Sequence, residues 1–533
     1  MKQARDTSFS AVRSYVWPIY PYELKKLVPM LIMLFCVCFN YSILRNLKDA
    51  IIITENGSGA AIIPFIKGWV MLPAAVISTI IFTKLSNHFS RKTVLQVIVS
   101  GFLLFFFLFA FVLYPNRALL NPHHFADFLE ANLPGGCKAM IGMVRHWTLT
   151  GFYVVAELWG SIVLSVLFWS FANEITKIHE APRFYSVLSI GSNTSPIIAG
   201  QVAVFFTTDI FNPNLFFGST AWEQTLMQIT LLVIGSGIMM LLAFRWITRH
   251  ALDPIAKTNE AAHSSAENRE PKKKKLGFRD SILYIARSKY LLCIAMLVIS
   301  YNLVIALVEV IWKDQLRELY PSPQHYNTYM NHLTSLMGVI STGASLLMVG
   351  ILSRLGWTKT ALLTPIVLLI TSVAFFFFFF ADTTLSPIVS ALLGTTPLAL
   401  AVLLGSIQNC FSKAAKYSLF DTTKEMAFIP LDKELKLKGK AAIDGIGSRF
   451  GKSASSYIHQ GFYFVFCSLH ASAPYVALVL IAVIVVWIIA VLSLGKQFTL
   501  LHQVEPEEPQ PTPSTEEPAV ASSFGEPALF AAK

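Results

Sequence analysis

Several ionisable side chains in this sequence lie inside long apolar stretches, where charge is unexpected. Tyr41, Arg45 and Lys48 follow one another at i, i+4 and i+7, so they share one face of a helix. The other members of this set are dispersed along the chain: Glu157, Glu309, Asp444, Arg449 and Lys452. A charge inside a membrane is costly, so such groups normally face a cavity or a charged partner. Cations predominate in the set, which favours the binding of an anion.

Some of these residues also have a purely structural explanation. Arg45 and Lys48 lie where an apolar stretch ends, so their long side chains could extend to the membrane surface. Glu157 could act only as a hydrogen-bonding group within a helix bundle. Lys313 and Arg317 follow another apolar stretch and are expected at the membrane surface rather than in a site.

The sequence carries no recognisable motif for catalysis, metal binding or cofactor binding. Gly451-Lys452-Ser453 resembles the end of a P-loop, but Ile446 stands where the first glycine belongs. Neither a Gly-x-Ser-x-Gly elbow nor a His-Glu-x-x-His helix is present. The 6 cysteines are scattered without a Cys-x-x-Cys pair, which is typical of small buried hydrophobic residues. We therefore expect neither an enzyme nor a resident metal or cofactor.

The composition indicates an integral membrane protein. Of 533 residues, 54% are hydrophobic and only 14% are charged, whereas a typical soluble chain carries about a quarter charged residues. The 41 phenylalanines against 31 acidic residues exclude an intrinsically disordered chain. Continuous apolar runs exclude a barrel of strands that alternate polar and apolar residues. Helices must therefore span the membrane, and the fold class is all-α.

Apolar runs of about 20 residues, the length that crosses about 30 Å of hydrocarbon, predict twelve spanning helices in two sets of six. The first set lies near 27–48, 61–83, 93–114, 148–174, 184–206 and 224–246, and the second near 291–312, 328–352, 360–380, 391–412, 441–467 and 473–495. The predicted domains are a cytoplasmic segment at 1–26, a six-helix bundle at 27–248, a basic linker at 249–290, a second six-helix bundle at 291–495 and a disordered tail at 496–533.

The basic residues predict the orientation. Counted over alternate sides of these spans, the segments hold 31 Lys and Arg on one side and 5 on the other. By the positive-inside rule, both termini face the cytoplasm. The net charge of +11 is then explained by anchoring to anionic lipid, so we expect a membrane-lipid partner and no nucleic acid.

The two halves of the chain show short internal similarities. Arg45-Asn-Leu-Lys48-Asp49 closes the first span, and Val-Ile-Trp-Lys313-Asp314 closes the seventh. Gly160-Ser161-Ile162 in the fourth span corresponds to Gly405-Ser406-Ile407 in the tenth. With the six-plus-six pattern and the long basic linker, these similarities favour a two-bundle transporter of the major-facilitator type over a channel or a receptor.

Cations from different helices, offset by two glutamates, suit a polyanionic substrate. A nucleoside triphosphate carries about four negative charges, and each phosphate oxygen in a low-dielectric cavity needs a cationic or N–H donor. An organic anion of single charge would not require so many cations.

At these same residues the sequence resembles the nucleotide transporter family of plastids and obligate intracellular bacteria, the ATP/ADP translocases of chlamydiae and rickettsiae. The matching segments run along nearly the whole membrane region: 39–49, 63–67, 156–161, 168–177, 307–310, 408–421, 424–432 and 438–444. The run from Gln408 to Asp444 is the most specific of them.

The resemblance implies a transporter in the bacterial inner membrane that imports ATP in exchange for ADP. The two lysines and two glutamates critical for transport in the family fall on Lys48, Glu157, Glu309 and Lys452. With Arg45, Asn193 and Arg449 these form the predicted substrate site of a monomer. Glu157 and Glu309 are also expected to couple transport, together with Asp421, Glu425 and Asp444.

The stretch 413–440 holds seven lysines interleaved with acids and predicts a cytoplasmic gate of short amphipathic helices at the membrane interface. Asn46 and Leu47 stand where an acid and a hydroxyl residue are usual in ATP/ADP exchangers, and Gln201 stands where an arginine is usual. These departures leave proton-coupled nucleotide uptake of broader base specificity as an alternative. Transport of another organic anion on the same scaffold is a more remote one.

Overall fold

The computed structural model describes residues 19–55, 57, 59–176, 180–252, 288–381, 386–431, 439–440, 443 and 447–504. These residues form helices joined by loops, without a strand among them. The long helices are α1 Leu24–Thr54, α2 Met71–His88, α3 Arg91–Leu108, α4 Trp147–Leu158, α5 Ala181–Phe206, α6 Ala221–Ile247, α7 Lys289–Leu319, α8 and α9 within Pro323–Phe380, α10 Pro397–Ala415, α11 Ser448–Phe466 and α12 Leu469–Val504.

Several of the long helices are extended by short α-helical or π-helical segments. The helix Ile62–Phe65 and the π-helix Ile66–Val70 lead into α2, and α4 continues as the π-helix Trp159–Phe168 and the helix Trp169–Ile175. A π-helix Lys416–Phe420 follows α10 and leads into the short helix Asp421–Ala427.

The element Pro323–Phe380 contains a sharp turn at Gly356, which separates α8 from α9. Gly356 has φ 71° and ψ 174°, a left-handed conformation that a residue without Cβ adopts at little cost. Elsewhere hydroxyl side chains start the helices: Ser90, Thr220 and Thr396 each accept a hydrogen bond from the amide three residues on.

We call the face at which α1 begins and α12 ends the proximal face, and the opposite one the distal face. Among the described residues, nine helices are long and apolar enough to cross a membrane. The predicted count of twelve is therefore not reached on these criteria. The three long helices outside the nine are α5, α8 and α11. Each carries several polar residues within the described part, such as Asn193, Asn331 and Gln460.

Similar contacts hold the fourth helix of each half against the first. The Trp159 indole N–H donates to the Val37 carbonyl at 3.1 Å in the first half, and Trp312 donates to the Val402 carbonyl at 3.0 Å in the second. A Cβ on Gly160 would lie 2.6 Å from the Tyr41 ring, and one on Gly405 would lie 2.1 Å from the Trp312 ring. Glycine at these positions lets α4 approach α1 and α10 approach α7.

Several predicted features lie outside the described residues. They are most of the N-terminal segment 1–26, most of the linker 249–290, the tail beyond residue 504 and Asp444.

Candidate functional site

Lys48 lies near the distal end of α1 and is buried among acidic and aromatic groups. Its Nζ is 3.1 Å from Asp49 Oδ1 and 3.2 Å from Glu157 Oε2. It also lies 3.8 Å from the centroid of the Tyr153 ring, close enough for a cation–π interaction. The packing of α4 on α1 places Tyr153 and Glu157 here, because both lie on α4 one turn apart.

The second half of the chain completes this cluster through α7. Lys313 is buried, and its Nζ is 2.8 Å from Asp49 Oδ2 and 2.9 Å from Glu309 Oε1. Glu309 and Lys313 are four residues apart on one helix, which brings their side chains together. The result is a chain of ion pairs that runs Glu157, Lys48, Asp49, Lys313 and Glu309, which we call the buried charge chain.

The two ends of the buried charge chain reach solvent, whereas its middle does not. The Glu157 side chain is 35% exposed and that of Glu309 is 20% exposed, against 1% for Asp49. Two further half-buried cations, Arg45 and Lys67, interact electrostatically with both glutamates. The terminal carboxylates are therefore accessible to solvent beside several cations, and we call this solvent-accessible region between the halves the cavity.

Hydrogen bonds between the two halves lie toward the distal face in the described part of the chain. On α1, the Asn46 side-chain amide donates to Asn331 Oδ1 of α8 at 2.8 Å. The Ser335 hydroxyl of α8 donates to the Ile197 carbonyl of α5 at 2.9 Å. Gln460 of α11 accepts from the Trp69 indole at 2.9 Å. Because these contacts join the halves toward the distal face, we infer that solvent reaches the cavity from the proximal side.

Of the predicted substrate residues, the structure brings Lys48, Glu157 and Glu309 together. Lys452 is exposed on α11 and interacts electrostatically with Glu157, Glu309 and Lys416, so it belongs to the wall of the same cavity. Arg449 is exposed one turn nearer to the proximal face.

Asn193 is half-buried on α5, where its carbonyl oxygen lies 3.3 Å from the place of a Cβ on Gly338 of α8. It therefore lies on the contact between α5 and α8.

The described part of the segment predicted as a gate packs against the second half of the protein. This part does not lie as separate amphipathic helices at the membrane interface. Asp421 and Glu425 lie on the short helix Asp421–Ala427, where Lys424 is 3.9 Å and 3.6 Å from their carboxylates. The Tyr290 hydroxyl and the Trp357 indole donate to carbonyls of this helix at 2.7 Å and 2.9 Å. Aromatic residues at both of its ends are buried, which anchors it to the second half.

The prediction that Lys313 lies at the membrane surface was wrong, and Asp49 was not predicted as a member of the site. Lys313 does not lie at the membrane surface, because it pairs with two carboxylates in the interior. The sequence feature that could have indicated both residues is the Lys-Asp pair, which occurs at 48–49 and again at 313–314. It marks equivalent positions on the first helix of each half.

Comparison with known proteins is consistent with this geometry. Residues 2–498 match the family described as TLC ATP/ADP transporter. The chain is 42% identical over 510 residues to ADP,ATP carrier protein 1 of Chlamydia pneumoniae, covering 95% of this chain and 98% of the relative. It is 38% identical over 500 residues to the chloroplastic ADP,ATP carrier protein 2 of Arabidopsis thaliana, covering 94% and 79% of the two chains.

Among solved structures, a bacterial homologue of the iron transporter ferroportin in an inward-facing state is similar. The TM-score is 0.53 at 13% identity, over 90% of this chain and 100% of the other. At that identity the similarity concerns the fold alone. It confirms the predicted all-α, major-facilitator-like membrane fold.

Proposed function

Because this chain belongs to the TLC ATP/ADP transporter family, we propose that it carries nucleotides across a membrane by exchanging ATP for ADP. The relatives named ADP,ATP carrier align with it over nearly its whole length. The observation that carries the proposal is the buried charge chain, which joins the two halves beside a cation-lined cavity open to one face. On this proposal the protein is a transporter and not an enzyme.

The exposed cations receive the substrate first. Lys452 and Arg449 are both exposed on α11, so on this proposal they attract the phosphates as these enter from the proximal face. Arg45 and Lys67 lie deeper, near Glu157 and Glu309. A phosphate that reaches them competes with the two glutamates for the same cations. Charge-assisted contacts of this kind are stronger than hydrogen bonds between neutral groups.

The glutamates balance charge when the cavity is empty. Glu157 pairs with Lys48 and Glu309 with Lys313, so the lysines keep a partner without substrate. A nucleotide that draws Lys48 away from Glu157 leaves that carboxylate toward the wet cavity, where it is solvated at low cost. Substrate binding thus exchanges one ion pair for another. This keeps the energy barrier low between the conformations that open to opposite sides of the membrane.

The orientation in the membrane follows from the charge asymmetry of the sequence. The proximal face carries the basic segments and lies in the cytoplasm, with both termini on that side. We further propose that the membrane is the bacterial inner membrane and that the transporter acts as a monomer.

Transport by reconstituted protein tests this proposal. Liposomes loaded with ADP are expected to take up radiolabelled ATP, whereas liposomes without internal nucleotide take up little. Unlabelled ATP and ADP should compete with the label. An organic anion substrate of another class is indicated if neither nucleotide competes.

Proton-coupled uptake is a second candidate, favoured by the solvent-reaching carboxylates of Glu157 and Glu309. A carboxylate that is exposed to the cavity can take up a proton from it. In that case a pH gradient drives accumulation into liposomes without internal nucleotide. Replacing Glu157 or Glu309 by glutamine should then abolish this accumulation while exchange persists. If both glutamine variants accumulate nucleotide normally under the gradient, neither carboxylate couples protons.

A further inference from the structure

Asp49 joins the two halves of the molecule through its two carboxylate oxygens. Oδ1 lies 3.1 Å from Lys48 of its own half, and Oδ2 lies 2.8 Å from Lys313 of the other half. All three side chains are nearly excluded from solvent. The carboxylate is therefore a buried ionic link across the interface between the halves.

This link can open without leaving either lysine unpaired. When the halves separate, Lys313 keeps Glu309 of its own helix at 2.9 Å. Asp49 keeps Lys48, which is also 3.2 Å from Glu157 of the first half. A buried charge that loses its only partner is severely destabilising, and this arrangement avoids that penalty. The pair between Asp49 and Lys313 is thus suited to repeated breaking and re-formation.

The neighbouring contacts between the halves place this pair on the closed side of the cavity. Asn46, one turn before Asp49, bonds to Asn331 of α8. Nearer the distal end of α8, the Asn327 amide donates to Thr207 of the first half at 3.2 Å. These contacts are made by neutral groups, whereas the pair of Asp49 and Lys313 adds an attraction between opposite charges in the interior.

We propose that the ion pair between Asp49 and Lys313 is a latch that holds the distal face closed and opens once in each transport cycle. Its partners act on the conformation and need not touch the substrate. The inference rests on the proposed function only in that the carrier must alternate between two open states. It does not depend on which anion is carried.

Labelling of a buried cysteine at the distal face tests the latch. Asn327 is buried at the distal end of α8, so Asn327→Cys reports opening of that face to a membrane-impermeant maleimide. Cys137 and Cys467, the cysteines that are not buried, are replaced by serine. The full-length protein is purified in detergent and labelled without nucleotide.

In this background, Asp49→Asn and Lys313→Gln are each expected to label about tenfold faster than the parent, since a tenfold shift in the opening equilibrium corresponds to about 1.4 kcal/mol. The double variant should label no faster than the faster single variant, because both changes remove the same pair. If one single variant fails to fold, judged by gel filtration, the other decides the outcome alone.

A matched control removes another buried carboxylate. Glu23 pairs with Arg183 at 2.7 Å within the first half, so Glu23→Gln should label at the parent rate. The latch is refuted if both single variants label like the parent, if the control accelerates equally, or if the two single effects multiply in the double variant. If the variants label faster as expected but the protein does not exchange ATP for ADP in liposomes, the latch is supported and the proposed substrate is rejected.

Discussion

Lys48 and Lys452 come from opposite halves of the chain, and their replacement by alanine should separate stability from substrate binding. Lys48 is buried between two carboxylates and a tyrosine ring, whereas Lys452 is exposed to the cavity. Lys48→Ala removes an ammonium group whose partners remain in the interior. Lys452→Ala removes one that is exposed to the cavity. Both substitutions delete one positive charge, which makes the pair a matched comparison.

The magnitude for Lys48 follows from its contacts. Removing one partner of a buried ion pair costs about 3–5 kcal/mol, but Asp49 retains Lys313 and Glu157 can be solvated, so the lower end applies. The lost cation–π contact with Tyr153 adds about 1–2 kcal/mol. We therefore expect a loss of about 4 kcal/mol for Lys48→Ala. Exposed Lys452 should contribute less than about 0.5 kcal/mol.

Thermal unfolding in detergent, followed by tryptophan fluorescence, measures the difference. At about 2 cal/mol/K of unfolding entropy per residue, 4 kcal/mol lowers the melting temperature of a chain this long by about 4 °C. Lys452→Ala should melt with the parent, within about 1 °C. Calorimetric titration with ATP should show a loss of roughly ten- to a hundredfold in affinity for both variants, because each removes a charge-assisted contact or its support.

Two results would contradict this reasoning. If Lys48→Ala melts at the parent temperature, its ammonium group is not held between the carboxylates. If Lys452→Ala binds ATP with unchanged affinity, that lysine is not on the substrate path.

Three further predictions concern packing, the gate and the distal face. Gly405→Ala should lower stability by about 1–3 kcal/mol, since its Cβ would lie 2.1 Å from Trp312, whereas Gly235→Ala, which meets nothing within 4 Å, should be neutral or stabilising in a melting experiment. Glu425→Gln removes exposed pairs with two lysines, so it should change stability by less than about 0.5 kcal/mol yet raise nucleotide efflux from loaded liposomes that lack external substrate; unchanged efflux would count against a gate. Burial raises the pKa of the Glu55 carboxyl despite a nearby arginine, so its charged form opposes folding. The parent should therefore gain stability as the pH falls from 7 toward 5, and Glu55→Gln should melt slightly higher at pH 7 with a weaker pH dependence, a prediction rejected if the two melting curves coincide at both pH values.

The sequence was sufficient to predict the helical membrane fold. It also singled out Lys48, Glu157 and Glu309, which the structure brings together, because a charge within an apolar run is rare and costly. It was not sufficient for Lys313. A lysine near the end of an apolar run has the same local pattern whether it extends to the membrane surface or turns inward toward a carboxylate. The choice depends on Asp49, which is more than 250 positions away in the chain, and pairing at such distance has no local signature.

The apolar pattern was weakest for α5, α8 and α11 for a related reason. Polar side chains of α8 and α11 form hydrogen bonds across the interface between the halves. Asn327 bonds to Thr207, Ser335 to the Ile197 carbonyl of α5, and Gln460 to Trp69. Where a helix faces protein rather than lipid it needs fewer apolar residues, so α5, α8 and α11 are less apolar than the other nine helices. Hence the prediction from 20-residue runs and the count of strongly apolar helices differ at these three helices.

The polar character of α11 bears on how the chain enters the membrane. Arg449 and Lys452 lie in the first two turns of a 19-residue helix that also carries Gln460, and charged residues within a segment oppose its transfer into lipid. Its neighbour α12 is strongly apolar and follows after a connection of only two residues. Insertion of α11 is therefore favourable only as a hairpin with α12, so a chain that ends before Leu469 should leave α11 outside the bilayer. The distal closure and the cationic wall of the cavity, both of which use α11, would thus form last during biosynthesis.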